Sequence, residues 1–370
     1  MNWLTEFLKN YWGINKVIFN NKILEEDLDD LISRNIDFES LNNNNVLITG
    51  ATGLIGVSLA RTLIWLNLKK KLNIGVYLMV RNEKKALSIY KNLLDLEFIH
   101  LIKTDIVNLM PIQYDIDYIF HCASVTSSKF MVDNPVETII TSLYGTNNIL
   151  ELSKIKKCKS IVYVSSMEMY GTFENDKLVD EDMLGYINPL LVRSNYPESK
   201  RMCENMCIAY YSQHKVPVKI ARLSQTFGAG VLEGENRVFA QFAKSAINNN
   251  DIVLHTDGLS EGNYCYLSDC VAGLFTILLK GKNGEAYNVV NNLNHTTIKD
   301  MAVMVCECIA NNRIQVKFDI DESNERGYAN KTKLRLSGNK LMNLGWEPKF
   351  DLKNSYLRLI SSMKENERGK

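Results

Sequence analysis

Residues 45–56 read NVLITGATGLIG, a mostly apolar run that enters a turn holding Gly50, Gly53 and Gly56. Glycine lets such a turn adopt positive φ, lets a pyrophosphate approach the backbone, and lets a helix pack tightly on a strand. The helix that follows, GLIGVSLARTLIWLN, offers free N–H groups and a partial positive charge at its first turn. The spacing is G-x-x-G-x-x-G rather than G-x-G-x-x-G, and any tight strand-to-helix turn wants glycine. Its position at the end of an apolar strand that opens a βαβ unit points to a dinucleotide. The loop residues Gly50, Thr52, Gly53, Leu54, Ile55 and Gly56 are its expected cradle.

Downstream, apolar runs alternate with helical periodicity. NIGVYLMVRN, FIHLIKTD, IDYIFHCAS, KSIVYVSS and PVKIARLS read as strands, with long helices in VETIITSLYGTNNILELSK and YPESKRMCENMCIAYYSQH. This pattern predicts an α/β protein with a doubly wound parallel sheet of Rossmann type, covered on both faces. After Phe227 the pattern loosens into a smaller mixed α/β C-terminal lobe. The expected division is a helical extension over 1–44, a dinucleotide domain over 45–227, and a substrate lobe over 228–263 and 293–370. A strand and helix near 264–292 return to the dinucleotide domain. In the extension, Leu24, Leu28, Leu31 and Ile32 share one helix face, as packing or a dimer contact requires.

The 370 residues carry 43 basic and 42 acidic side chains, a net charge of +1 without a basic stripe, which argues against nucleic acid. The 8 cysteines form no C-x-x-C pair. Cys203 and Cys207 stand one helical turn apart and read as buried reduced thiols rather than metal ligands, so no metal is expected. Free thiols, the lack of a signal-peptide core in MNWLTEFLKNYW and the lack of a run long enough to span a membrane predict a soluble cytoplasmic protein.

The second strand ends in Arg81, where an NAD-specific site usually has an acid. Arg81 either pairs with a 2′-phosphate, favouring NADP over NAD, or is a surface arginine at a strand end. Asp105 either meets the adenine amino group or caps a helix. Tyr196 and Lys200, four apart in SNYPESKR, share a helix face. An ammonium about 4 Å from a phenol favours phenolate by roughly 4 kcal/mol at an effective dielectric near 20, about three pKa units. Tyr211 and Lys215 match the spacing at a fraying helix end, where solvent exposure is expected.

TGATGLIG, HCAS, VSSMEMYG and the Tyr196/Lys200 pair, in this order, resemble the extended short-chain dehydrogenase/reductase family that modifies nucleotide-sugars. The resemblance covers about residues 45–365 and is nearest to UDP-glucuronate decarboxylases and hexose 4,6-dehydratases; RSNYPESKR is similar to the decarboxylase signature, and NRVFAQF resembles its nucleotide-binding loop. It implies that Ser166 and Tyr196 contact the reacting sugar hydroxyl and that Lys200 and Tyr196 also meet the nicotinamide ribose. Ile106, Cys122 and Ala123 would join the cofactor site, and Gln225, Arg237 and Tyr266 the substrate site. It further implies a homodimer built from the two long helices. Three positions depart from the pattern: Gly262 stands for an arginine that grips the diphosphate, Gln225 for an asparagine, and Ser142 for an asparagine in the long central helix.

Family chemistry begins with hydride transfer from sugar C4, which leaves a ketone that acidifies C5. Glu168 falls on the glutamate that related dehydratases use there, and Met167 on their neighbouring acid. Glu168 reads either as the group acting at C5 or as a carboxylate capping a loop amide. Methionine neither donates nor accepts a proton usefully. The products left open are an epimer, a 4-keto-6-deoxy sugar or a decarboxylated sugar. The alternatives are an NADPH-dependent 4-ketoreductase and a non-catalytic dinucleotide-binding protein.

Overall fold

The apolar runs become one seven-stranded parallel sheet in a computed structural model that describes residues 18–109, 111–174, 176–231, 234–320 and 333–368. The part of the predicted N-terminal extension before residue 18 lies outside the described residues. The strands are β1 (Asn45–Thr49), β2 (Gly75–Val80), β3 (Ile99–Lys103), β4 (Tyr118–His121), β5 (Ser160–Ser166), β7 (Val218–Leu223) and β11 (Ala286–Val289), in spatial order β11-β7-β5-β4-β1-β2-β3. The short β6 (Leu178–Val179) pairs elsewhere, with β14 (Arg335–Leu336). The order reverses between β1 and β4, and a doubly wound sheet opens its ligand crevice at that reversal.

Period-2 alternation sorts the strand side chains onto two faces. Val46, Ile48, Val76, Leu78, Phe120 and Val162 enter one core with helices α1 (Lys22–Ser33), α2 (Leu54–Lys70) and α7 (Leu267–Lys280). Leu47, Tyr77, Ile119, Ile161 and Ile220 enter the other, under α4 (Pro135–Lys156) and α5 (Asn195–His214). A short helix α3 (Glu83–Tyr90) follows β2. Leu24, Leu28, Leu31 and Ile32 are buried in the first core, so the leucine stripe of α1 is a packing face.

The lobe has its own apolar core, shared by α6 (Val238–Asn248) and the C-terminal α8 (Leu352–Arg368). Its three-stranded sheet has the order β12-β10-β8, from β8 (Gln225–Phe227), β10 (Glu261–Tyr266) and β12 (His295–Thr297). A pair, β9 (Ile252–Leu254) and β13 (Val316–Phe318), completes it. Gln225–Phe227 therefore belongs with the lobe's sheet although it follows β7 after one residue; the chain leaves the main sheet at Ser224. No described helix is long and apolar enough to cross a membrane.

Candidate active site

The glycine turn is shaped by contacts that exclude any side chain. Gly50 has φ +66°, and a Cβ there would lie 2.8 Å from the Ala123 backbone. A Cβ on Gly56 would lie 2.4 Å from the Gly50 carbonyl oxygen, so glycine allows α2 to start tight against β1. Gly53 is the N-cap of α2, flanked by Thr52, Leu54 and Ile55. Ala123 N–H donates to Thr49 Oγ1 at 3.0 Å, which ties the ends of β1 and β4 together. Behind this contact His121 bridges Thr49 and Thr146, and burial pushes its pKa down to about 3, with the charge of Lys200 adding to the effect. Burial pushes the neighbouring Cys122 thiol up, away from thiolate.

Arg81 is exposed at the C-terminal end of β2. Asp105 accepts from Val107 N–H at 2.9 Å, a local turn bond rather than a helix cap. Ile106 is buried, packed against the α4 backbone at Gly145.

Ser166 ends β5 and caps the 3-10 turn Met167–Tyr170, accepting from Glu168 N–H at 3.2 Å. Tyr196 and Lys200 lie in the first turns of α5, both buried. Lys200 Nζ donates to the Val164 carbonyl at 2.9 Å and lies 5.7 Å from the Tyr196 ring centre. Burial and then the charge of Glu168 push Tyr196 up to about 12. A hydrogen bond with Ser166 and the charges of Arg193 and Arg237 pull the other way. Burial therefore opposes the lowering that the Tyr196/Lys200 spacing suggested. Burial pulls the Lys200 pKa down. Its ammonium has three N–H donors and a single hydrogen-bond acceptor among the described residues, so a buried donor pair remains for a sugar-type diol. Lys200, the N-terminus of α2 and the glycine turn therefore fit a nicotinamide dinucleotide. Tyr211–Lys215 ends α5 instead, with Lys215 exposed as its left-handed C-cap.

Glu168 meets an arginine that its local sequence does not announce: Arg193 Nη2 donates to its Oε2 at 2.9 Å. The two side chains are 34% and 39% exposed. Arg237 heads α6, paired with Glu235 at 2.7 Å, and its charge reaches Tyr196 across the cleft. Gln225 is half-buried at the start of β8. A Cβ on Gly262 meets nothing within 4 Å, so open space stands where the resemblance expects an arginine. Ser142 turns its hydroxyl back onto the Thr138 carbonyl of its own helix.

Tyr266 departs from expectation. It is wholly buried, and its hydroxyl donates to Asp27 Oδ2 at 2.5 Å, so it anchors α1 and presents nothing to a substrate.

Two supports were not read from the sequence. Arg222 on β7 pairs with Glu204 on α5 at 2.8 Å, both buried, and Ser165 donates to the same carboxylate at 2.6 Å. Arg222 also donates to Tyr170 Oη at 2.9 Å. Arg201, beside Lys200, donates to the carbonyls of Met169, Tyr170 and Gly185. The turn carrying Glu168 is thereby held from below and behind. The signal was present as an arginine inside the apolar strand VKIARL and a glutamate one turn after Lys200; buried charges come paired.

The family described as "NAD dependent epimerase/dehydratase family" matches residues 46–290. UDP-glucuronic acid decarboxylase 3 of Arabidopsis thaliana is 31% identical over 314 residues, covering 84% of this chain and 86% of that protein. Among solved structures, UDP-glucuronic acid 4-epimerase of Bacillus cereus, in complex with UDP-glucuronic acid and NAD, superposes with a TM-score of 0.72 at 20% identity, covering 87% of this chain and 99% of its own. DesIV, a dTDP-glucose 4,6-dehydratase of Streptomyces venezuelae, gives a TM-score of 0.72 at 19% identity, covering 88% of this chain and 98% of its own. The family match, the relative and the glycine–serine–tyrosine–lysine framework agree: this chain belongs to the NAD dependent epimerase/dehydratase family, the nucleotide-sugar enzymes of extended short-chain dehydrogenase/reductase type.

Proposed function

We propose that the chain transforms a nucleoside-diphosphate sugar by oxidation at C4, with Glu168 acting at C5 before the ketone is reduced or released. The observation that carries this reading is the convergence of Ser166, Tyr196, Lys200 and the Glu168–Arg193 pair at the ends of β5 and α5. Ser166 and Tyr196 bind the C4 hydroxyl and hold its proton, and Lys200 orients the cofactor ribose. A nicotinamide held by the glycine turn and Lys200 would, when bound, supply the hydride acceptor and donor for C4. Glu168, half-exposed and ion-paired, is set to take or give the C5 proton once the ketone has acidified it. Met167 supplies no acid for a leaving C6 hydroxyl, which favours epimerisation or decarboxylation over dehydration. Arg237 and Gln225 face the nucleotide side of the substrate. Gly262, with open space above it, gives no charge to the diphosphate.

Arg81, exposed at the end of β2, supports NADP as cofactor, although the family is described by NAD. With Met167 it also favours the second reading, an NADPH-dependent 4-ketoreductase. A homodimer through α4 and α5 is supported by their exposed apolar side chains, among them Val136, Ile140, Tyr144 and Met202. The test is a panel of UDP-, CDP-, GDP- and dTDP-sugars with NAD and NADP, on wild type and Arg81→Asp. Product NMR with nicotinamide absorbance separates redox-neutral turnover from net reduction. Arg81→Asp weakens NADP far more than NAD under this assignment, and equal losses refute the 2′-phosphate contact.

A further inference from the structure

We propose that Arg193 is a positioning residue that holds Glu168 and Tyr196 in one working arrangement, drawing the carboxylate to itself so that the phenol stays free to face Ser166. The inference rests on the functional reading above and deepens it. Arg193 lies in the 3-10 turn Val192–Ser194, immediately before α5, so it enters the site from the same helix start that delivers Tyr196. One guanidinium nitrogen donates to Glu168 Oε2 at 2.9 Å, while the guanidinium carbon lies 5.6 Å from the Tyr196 ring centre. It thereby touches the Glu168 carboxylate and the Tyr196 ring together.

Stability does not explain the pair. Both side chains are more than a third exposed, and a surface ion pair of that kind adds little to folding. The buried Arg222–Glu204 pair already secures the surrounding elements, and Arg201 fastens the turn that carries Glu168. What Arg193 adds is control of charge and aim. Tyr196 faces Glu168 from the 3-10 turn, Arg193 and Lys200 from its own chain segment, Arg237 from the head of α6, and Tyr163 from β5. Glu168 favours the protonated phenol, whereas Arg193 favours the phenolate. Removing Arg193 both deletes a cation and frees the carboxylate, so the two consequences act in the same direction on Tyr196.

The test follows C4 oxidation as the single-turnover rise of nicotinamide absorbance on mixing NAD-loaded protein with UDP-glucuronate across pH. Wild type is compared with Arg193→Gln, Glu168→Gln, the double variant and Arg193→Lys. Arg193→Gln moves the ascending limb to higher pH, and the rate below that limb falls about tenfold per pH unit of displacement. Glu168→Gln moves the limb the other way, Arg193→Lys restores most of its position, and the two Gln changes are non-additive when combined. Additive effects, or a limb unmoved by Arg193→Gln, overturn the proposal. The same displacement is read without turnover by NMR of isotope-labelled tyrosine, with Tyr196→Phe assigning the signal and NAD binding confirming the fold. A Tyr196 titration unmoved by Arg193→Gln overturns the proposal. Wild type inert toward every nucleotide-sugar, with that titration still displaced, overturns the functional reading and leaves the positioning role standing.

Discussion

Two clusters in this molecule are built from the same three residue types. In the cleft, Tyr196 stands near Glu168, which pairs with Arg193. Between the lobes, Tyr266 donates to Asp27 at 2.5 Å, and Arg358 Nε donates to the same carboxylate at 2.7 Å. The second cluster closes on itself. Tyrosine, acid and arginine satisfy one another, and α1 is thereby pinned to α8 and β10, with Asn21 bonded to Ser362 and Asn366. The first cluster is left open: Tyr196 lies beside Ser166 rather than on the acid, and among the described residues the Glu168 carboxylate accepts a single side-chain hydrogen bond. Residue type does not separate structure from chemistry here; spare hydrogen-bonding capacity beside open space does.

The comparison is broken most directly by removing each tyrosine hydroxyl. Tyr196→Phe is expected to lower turnover by about 10²–10⁴-fold with little loss of stability. Tyr266→Phe should cost about 1–3 kcal/mol of folding while leaving turnover per folded molecule unchanged. Turnover with denaturant melts on both proteins checks the pair, and a matched loss of activity in the two would dissolve the distinction.

Next in size is the support beneath the cleft. Arg222→Ala leaves Glu204 buried without its partner and is expected to destabilise the protein by about 3–5 kcal/mol. Urea unfolding measures it; a loss below about 1 kcal/mol would mean that water reaches Glu204.

The pH dependence of the closed cluster sharpens the contrast further. Burial raises the Asp27 carboxyl from 3.8 to about 6, against the lowering effects of Tyr266 and Arg358. Between those values the folded chain binds more protons than the unfolded chain. Asp27 therefore favours folding most below about pH 4, and this contribution is lost as pH rises through about 6, by roughly 3 kcal/mol in all. Asp27→Asn should flatten the fall in stability between pH 4 and 7, read by denaturant midpoints at each pH.

Much of the fold was legible. Each of the seven main-sheet strands is a short apolar run, and Gly50 and Gly56 mark contacts that no side chain fits. Ser166, Tyr196 and Lys200 were legible because helix and strand periodicity bring the ends of β5 and α5 to one edge of the sheet. Tyr266 was misread because α1, more than two hundred residues away in sequence, supplies the acid that occupies it. The upward pull on Tyr196 was not legible because burial, its leading cause, is set by packing and not by the spacing of Tyr196 and Lys200.

The sequence by itself determined what is local and periodic. It set the order of strands and helices, the glycine turn at the switch point, and the Tyr196/Lys200 spacing on one helix, all of which follow from backbone geometry within a few residues. The tertiary structure decided which charges meet. Glu168 stands in the middle of VSSMEMYG, yet its partner comes from the start of α5. Arg222 and Glu204 come from a strand and a helix, and the acid for Tyr266 comes from the N-terminal helix. Electrostatic pairing depends on distance and burial through space, and neither is a property of neighbouring positions along the chain.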